Sequence, residues 1–416
     1  MKDTPRTLAD RVKRQRPDIV GLTATTLSYP ALKQTIHAIK TRCHPPPRII
    51  VGGSHISAME DYDEIADSVD CIIKGEGEYI LPKVLESNGI YEGSPIEELD
   101  KLPFPARDLL TPPLSTYRGN EPRFESPETT ALWSRGCPHN CVFCSNIIFK
   151  GRRPRFRSPQ NICDELEELV TAYGVRSIFV YDDELIGASR EQSDWLIRVC
   201  KEIVNRQLHR RLSFKCQGRC SQFADYDTLY AMKHANFKAV MWGVESGSQK
   251  VLNNIHKGTN LETVTRVFRD AKRAGLINWS FIMVGNLGET KEDIEETRKF
   301  LQCLKPDLVQ VTCVTPIVGS PLYGLAERKG WIEDNNFSHY FTTLAVARTD
   351  TLSRSEIQQE QLKFSDQYVR LLHYRAILWR KIGSSFTSLS NFKLLPFRTK
   401  KFLGLLKRYG FRRLLR

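Results

Sequence analysis

No apolar run in this 416-residue chain approaches the ~18 residues of a membrane-spanning helix. Nor does the chain open on a secretion signal. Met1-Lys2-Asp3-Thr4-Pro5 leads straight into a charged segment, without the apolar stretch such a signal needs. A soluble globular protein with room for two or three domains is expected. Acidic residues are missing from Arg375 to Arg416, where twelve Lys or Arg stand. Removing those twelve leaves 49 basic residues against 48 acidic ones, so the formal charge of +13 belongs almost wholly to the tail. The high pI is therefore no sign of a nucleic-acid-binding body. Also missing is a second short-spaced cysteine or histidine pair that would complete a zinc site. Eleven cysteines without a secretion signal point to metal chemistry in a reducing, cytoplasmic compartment, not to a disulfide frame.

What is present is concentrated between Trp133 and Asn146. Cys137, Cys141 and Cys144 form a Cys-x3-Cys-x2-Cys triplet. Gly136 before it and Pro138 within it give the segment turn chemistry. Thiolates are soft ligands that select iron–sulfur clusters or zinc. Four would close a site; three leave one position open. The plain alternative is three structural cysteines on a loop.

With the aromatic Phe143 just before the last cysteine, the triplet resembles the signature of the radical S-adenosylmethionine (SAM) superfamily. That resemblance implies a [4Fe-4S] cluster on Cys137, Cys141 and Cys144, with SAM chelating the fourth iron and Phe143 near the adenine. It implies reductive cleavage of SAM to methionine and a 5′-deoxyadenosyl radical, with an external donor of the flavodoxin or ferredoxin kind.

Upstream, residues 1–100 read as alternating strands and helices. Strands fall at Asp18–Thr23, Arg48–Val51 and Val69–Lys74, and helices at Tyr29–Arg42 and near Ala58–Ser68. Gly75-Glu76-Gly77-Glu78 opens a further helix. Buried strands alternating with helices predict a parallel sheet. The segment resembles the second half of the Rossmann-like cobalamin-binding domain that precedes many radical SAM cores. There the Thr23-Ala24-Thr25 loop and the Gly52-Gly53 turn would line the slot for the nucleotide tail. Taken alone, Gly52-Gly53 is a tight turn. The first β-α-β unit of that domain is not represented, and the chain lacks its Asp-x-His-x-x-Gly cobalt-ligand motif. A shortened domain, or a record short at its N-terminus, is the expectation, and His55 is read as a polar loop residue.

A proline-rich linker covers 101–127. From Thr129 six strand-helix units predict a partial (β/α)6 barrel over 128–330, with strands at Thr130–Ser134, Ser177–Tyr181, Leu212–Cys216, Ala239–Val244, Ser280–Val284 and Val309–Thr315. The cysteine loop follows the first strand, at the catalytic mouth of such barrels. At the other strand ends, Asp183 is a candidate for the SAM ammonium or the substrate, and Arg219 for the SAM carboxylate or an acidic substrate. By resemblance, Glu245 and Ser246 lie by the SAM ribose and methionine, and Gly285 by the adenine. Cys216 and Cys220 read as plain barrel cysteines.

Residues 331–416 are expected to be helical with a basic tail. Glu356–Lys381 carries an apolar stripe at Leu362, Tyr368, Leu371, Leu372 and Trp379. Beyond it, Phe and Leu mixed with Lys and Arg suit an interfacial helix on an anionic membrane, a solvated tail or an RNA contact; no specific nucleic acid is expected. The combined reading is an α/β radical SAM enzyme acting on a small-molecule or lipid-like substrate, cytoplasmic or peripheral at the membrane. C-methylation with cobalamin is expected, with methylation-free oxidation or rearrangement, or a non-catalytic iron–sulfur protein, as alternatives.

Overall fold

The computed structural model describes residues 4–119, 124–146 and 151–368. Two parallel sheets organise it. The first has strands β1 (Ile19–Thr23), β2 (Arg48–Gly52), β3 (Cys71–Gly75) and β4 (Gly89–Gly93), side by side in that order. Helices α1 (Pro5–Gln15), α2 (Tyr29–Arg42) and α3 (Ser54–Ala58) accompany it. Alternation along β2 divides its apolar run. Ile49 and Val51 join Ala9, Ile36 and Ile39 in one core, while Ile50 joins Cys71, Ile73 and Val84 in a smaller one.

Two expectations fail here. The helix near Ala58–Ser68 is instead the short α3, followed by irregular chain and a single 3-10 turn at Ala66–Ser68. Asp61 and Asp63 favour turns over helix interiors, and the Tyr62 hydroxyl ties back to the Ile56 carbonyl at 2.9 Å. The helix expected after Gly75-Glu76-Gly77-Glu78 is only a 3-10 turn, Leu81–Lys83, leading into β4. Pro82 has no N–H for a helix interior, and β4, bounded by glycines, is too short to show a period.

The second sheet has six parallel strands in chain order, β5 (Glu128–Ala131), β8 (Ser177–Val180), β9 (Ser213–Gly218), β10 (Phe237–Glu245), β11 (Ile277–Val284) and β12 (Leu308–Cys313). Helices α4 (Pro159–Thr171), α5 (Arg190–Asn205), α6 (Tyr226–His234), α8 (Leu261–Ala274) and α9 (Lys291–Leu304) connect them; the short α7 (Gln249–Asn254) follows β10. Ile178, Val180, Phe214, Cys216, Val240, Trp242, Ile282 and Val284 pack with the helices in one core. Their strand neighbours occupy the other face, where Lys215 bonds both oxygens of Glu128 at 2.8 Å across β8. The edges β5 and β12 are not paired with each other, so the barrel is open.

The expected first strand, Thr130–Ser134, divides. After β5 the chain leaves the sheet, and β6 (Ser134–Arg135) pairs antiparallel with β7 (Arg155–Phe156).

The C-terminal part covers the β12 side. Helix α10 spans Pro321–Arg328, and α11 spans 354–368. From α11, Gln361 Nε2 donates to the Val311 carbonyl at 3.1 Å, occupying an edge-strand acceptor. The buried stripe of α11 is Ile357, Gln361 and Phe364, with Tyr368 packed beside it, whereas Leu362 is 54% exposed. The expected stripe began one position out of phase; Leu371, Leu372, Trp379 and the basic tail lie outside the described residues.

Candidate active site

The cysteine loop emerges from a rigid base. Trp133 is fully buried, edge-on to Phe214 and Phe237. Its backbone N–H and the Ser134 hydroxyl both donate to Asp182, which follows β8. The adjacent Asp183 accepts from the Gly136 N–H at 3.4 Å and the Asn146 amide at 2.8 Å. These carboxylates strap both ends of the cysteine loop to the next strand end. Asp183, which the sequence reserved for the SAM ammonium or the substrate, is engaged with the loop itself. Gly136 has φ +93°, and a Cβ there would stand 2.5 Å from the Arg153 carbonyl oxygen, so only glycine fits.

Cys137, Cys141 and Cys144 are all free thiols, each partly buried. The Cys137 thiol points at Glu184 Oε2 at 3.4 Å, which also lies 3.0 Å from His139 Nε2. Burial, and then the Glu184 charge, push the Cys137 thiol well up. Burial likewise pushes Cys144 up. Such thiols ionise on meeting a positive centre, so cluster loading must release protons here. Among the described residues, no three Cys, His, Asp or Glu side chains gather around one ion-sized point. A four-iron cluster spreads its cysteines over separate irons. The donor set fits the cluster.

Two buried cations flank Cys141. Arg219 Nη1 donates to Cys141 Sγ at 3.6 Å. Its guanidinium is close to Gly258, where a Cβ would lie 3.2 Å from Nη2, and its backbone is close to Gly187. Lys257 Nζ donates to Glu245 Oε1 at 2.7 Å and lies 5.8 Å from the Phe143 ring centroid. Burial pulls the Lys257 pKa down, but the charges of Glu245 and Cys141 outweigh it and leave the ammonium raised. Glu245 ends β10 with φ +65°, after a register shift, a conformation costly for a non-glycine residue. Gly243 makes the pair possible: a Cβ there would meet Glu245 Oε1 at 2.6 Å and Lys257 Nζ at 2.8 Å.

Phe143, Arg219, Glu245 and Cys141 thus converge as expected from the strand ends, with Lys257 as the member that sequence reasoning missed. Its only signal was a lysine before Gly258 in a loop, which has many ordinary explanations.

Ser246 is fully buried, 3.1 Å from the Thr297 hydroxyl, and accepts from the Ser248 N–H. Its hydroxyl anchors the turn to α9. Gly285 has φ +87°, and its N–H donates to Glu289 at 2.7 Å. Glu289 also accepts from the Asn286 N–H, and burial raises its pKa to about 7 against those hydrogen bonds. Ile357 of α11 packs against Gly285.

In the first sheet, the loops after β1 and β2 are tied together by Ala24 N–H to Gly52 O (3.1 Å) and His55 N–H to Ala24 O (3.1 Å). Gly53 has φ +104°, and a side chain on it would collide with Thr23 and Ala24. Gly52 lies against the Ile73 carbonyl. The space beside these glycines is filled by the chain itself. His55 is not the polar loop residue expected. It is 2% exposed, bonds Thr26 Oγ1, and is held between Tyr29 and Phe337, with ring centroids at 4.3 and 5.2 Å. His55 is thereby committed to the packing of its own domain.

Residues 132–301 match the model of the Radical SAM superfamily, and residues 1–85 that of the B12 binding domain. The chain is a radical SAM enzyme. An uncharacterized methyltransferase of Pyrococcus horikoshii is 28% identical over 85% of this chain and 78% of its own length. The anaerobic magnesium-protoporphyrin IX monomethyl ester cyclase of Cereibacter sphaeroides is 26% identical over 97% of this chain, which spans 66% of that protein. The cobalamin-dependent SAM radical enzyme OxsB, solved with aqua-cobalamin and SAM, superposes with a TM-score of 0.68 at 17% identity. The match covers 97% of this chain and 64% of OxsB. The two parallel sheets described above thus share their fold with that enzyme.

Among the described residues, no helix is long and apolar enough to cross a membrane.

Proposed function

We propose that this radical SAM enzyme C-methylates a small-molecule substrate, with Cys137, Cys141 and Cys144 as the cluster ligands. The observation that carries the assignment of the site is the convergence of Arg219, Lys257, Glu245 and Phe143 on Cys141. When bound, the [4Fe-4S] cluster supplies the electron that cleaves SAM. The chain's own residues do the rest. Arg219 and Lys257 set a positive pole beside Cys141 that favours thiolate and anionic ligands. Glu245, held by Lys257, presents a fixed carboxylate to hydroxyls or an ammonium of SAM. Phe143 offers an apolar edge for the adenine. The N–H groups of Gly285 and Asn286, turned onto Glu289, fix the loop that follows β11. A flavodoxin- or ferredoxin-type donor delivers the electron, and the basic tail carries the protein to an anionic membrane surface.

Methylation is supported by the methyltransferase relative and by the B12-type domain. Cobalamin, when held by that domain, would supply the methyl group. A second reading, oxidation without methyl transfer, is favoured by the cyclase relative, whose match takes in 97% of this chain. Product analysis separates the two. Anaerobically reconstituted, reduced protein is incubated with SAM, with and without methylcobalamin. Methylation predicts 5′-deoxyadenosine plus S-adenosylhomocysteine, the latter dependent on cobalamin. Deoxyadenosine alone, indifferent to cobalamin, selects the second reading. Neither product, with the cluster intact, overturns both.

A further inference from the structure

The cysteine loop is closed at its base by two like charges. In the β6–β7 ribbon, Arg135 stands directly opposite Arg155, and the cysteine segment leaves the ribbon right after Arg135. Like charges facing each other across strands repel, and Arg155 is nearly fully buried, where screening by water is weak. Glu76 from the first sheet answers both. Its Oε2 accepts from Arg135 Nη1 at 3.0 Å and Arg155 Nη1 at 3.1 Å, and its Oε1 from Arg155 Nη2 at 2.6 Å. The Ile96 N–H adds a further bond to Oε2 at 2.9 Å. Glu78 takes the other arm of Arg135 at 2.6 Å. The backbone of Glu76 is held close to Gly93, where a Cβ would collide with the Glu76 carbonyl.

We propose that Glu76 is a positioning residue for the cluster site: it clasps Arg135 to Arg155 and so holds the two ends of the cysteine loop at the spacing the cluster needs. The first sheet then serves the cluster directly, whether or not it carries cobalamin. Arg135 is two residues from Cys137, so a change in the clasp is felt at a ligand while the barrel core is untouched. The inference rests on the cluster assignment above.

The test compares wild type, Glu76→Gln, Glu76→Asp and the double variant Glu76→Gln/Arg155→Met. Each is reconstituted with iron and sulfide under anaerobic conditions. Three things are read: iron release to a chelator, the electron paramagnetic resonance spectrum of the reduced cluster with and without SAM, and the melting temperature. Groups that orient metal ligands from behind change metal affinity by roughly 10- to 100-fold. Glu76→Gln is expected to release iron on the order of tenfold faster and to show a weakened SAM-induced spectral change. Glu76→Asp should be intermediate, and the double variant, freed of one guanidinium, should regain much of the loss. A clasp that serves only folding would lower the melting temperature and leave iron release and spectrum unchanged; that result overturns the proposal. Should Glu76→Gln fail to fold, Glu76→Asp and the double variant carry the same comparison. A wild-type protein with no SAM-responsive cluster would sink the underlying assignment instead.

Discussion

Two strand-end turns with glycines, one in each sheet, are built to opposite ends. After β2, Gly52 and Gly53 press against Ile73, Thr23 and Ala24, and His55 is sealed between Tyr29 and Phe337. After β5, Gly136 allows a loop whose thiols stay unpaired, with two buried cations beside them and acidic residues strapping the ends. In the first case the glycines serve the close approach of the chain to itself; in the second they shape a loop that receives a ligand. A glycine pair in sequence therefore does not say which of these it does; the partners of the neighbouring polar groups do.

The contrast can be broken most forcefully at the cysteines. Replacing Cys137, Cys141 and Cys144 together with Ala should abolish iron and sulfide uptake while the far-UV circular dichroism is kept, whereas His55→Asn should leave uptake intact. Iron retained by the triple variant would contradict the assignment of the loop.

Lys257→Met should come next in size. It leaves the Glu245 carboxylate buried without its ammonium, which costs about 3–5 kcal/mol, read as a shift in the denaturant midpoint. Adding Glu245→Gln should recover most of it. If the single variant is as stable as wild type, the pair is not buried as described.

Two titrations sharpen the comparison with opposite signs. Glu289 sits near pKa 7 against an ordinary 4.5, so the folded protein holds that proton more tightly than the unfolded chain. Its contribution is full below pH 4.5 and is lost as pH rises to about 7, on the order of 3 kcal/mol. Stability curves of wild type and Glu289→Gln should diverge with that slope. His55 has its pKa lowered from 6.5 to about 4 by burial. Its contribution is full above pH 6.5 and is lost as pH falls toward 4, on the order of 3 kcal/mol. The difference between wild type and His55→Asn should shrink on acidification. A flat difference in either case would place that residue in contact with water.

Much of this was legible in the sequence, and the exceptions have physical causes. Five of the six barrel strands were visible because buried parallel strands give apolar runs and the crossover helices are amphipathic, whereas the first, Glu-Thr-Thr-Ala, carries no apolar run and was placed two residues late. β4 was not, since three residues between glycines carry no period. The Cys triplet is a spacing signal and needs no fold to be seen. Glu245, Arg219 and Phe143 were readable because each ends a recognisable strand or motif. Lys257 and Glu76 were not: each acts on a residue far away in sequence, Glu76 on Arg135 and Arg155 through the packing of one sheet on the other. Asp183 was seen as functional, but its partners, Gly136 and Asn146, are fixed only by the loop's path.

The most direct test of the central claim is the reduced protein's electron paramagnetic resonance spectrum, recorded with and without SAM alongside iron and sulfide analysis. The account predicts about four irons per chain and a cluster signal that SAM changes, because one iron is left open by the three cysteines. A colourless zinc protein, or a cluster whose signal is indifferent to saturating SAM, would contradict it.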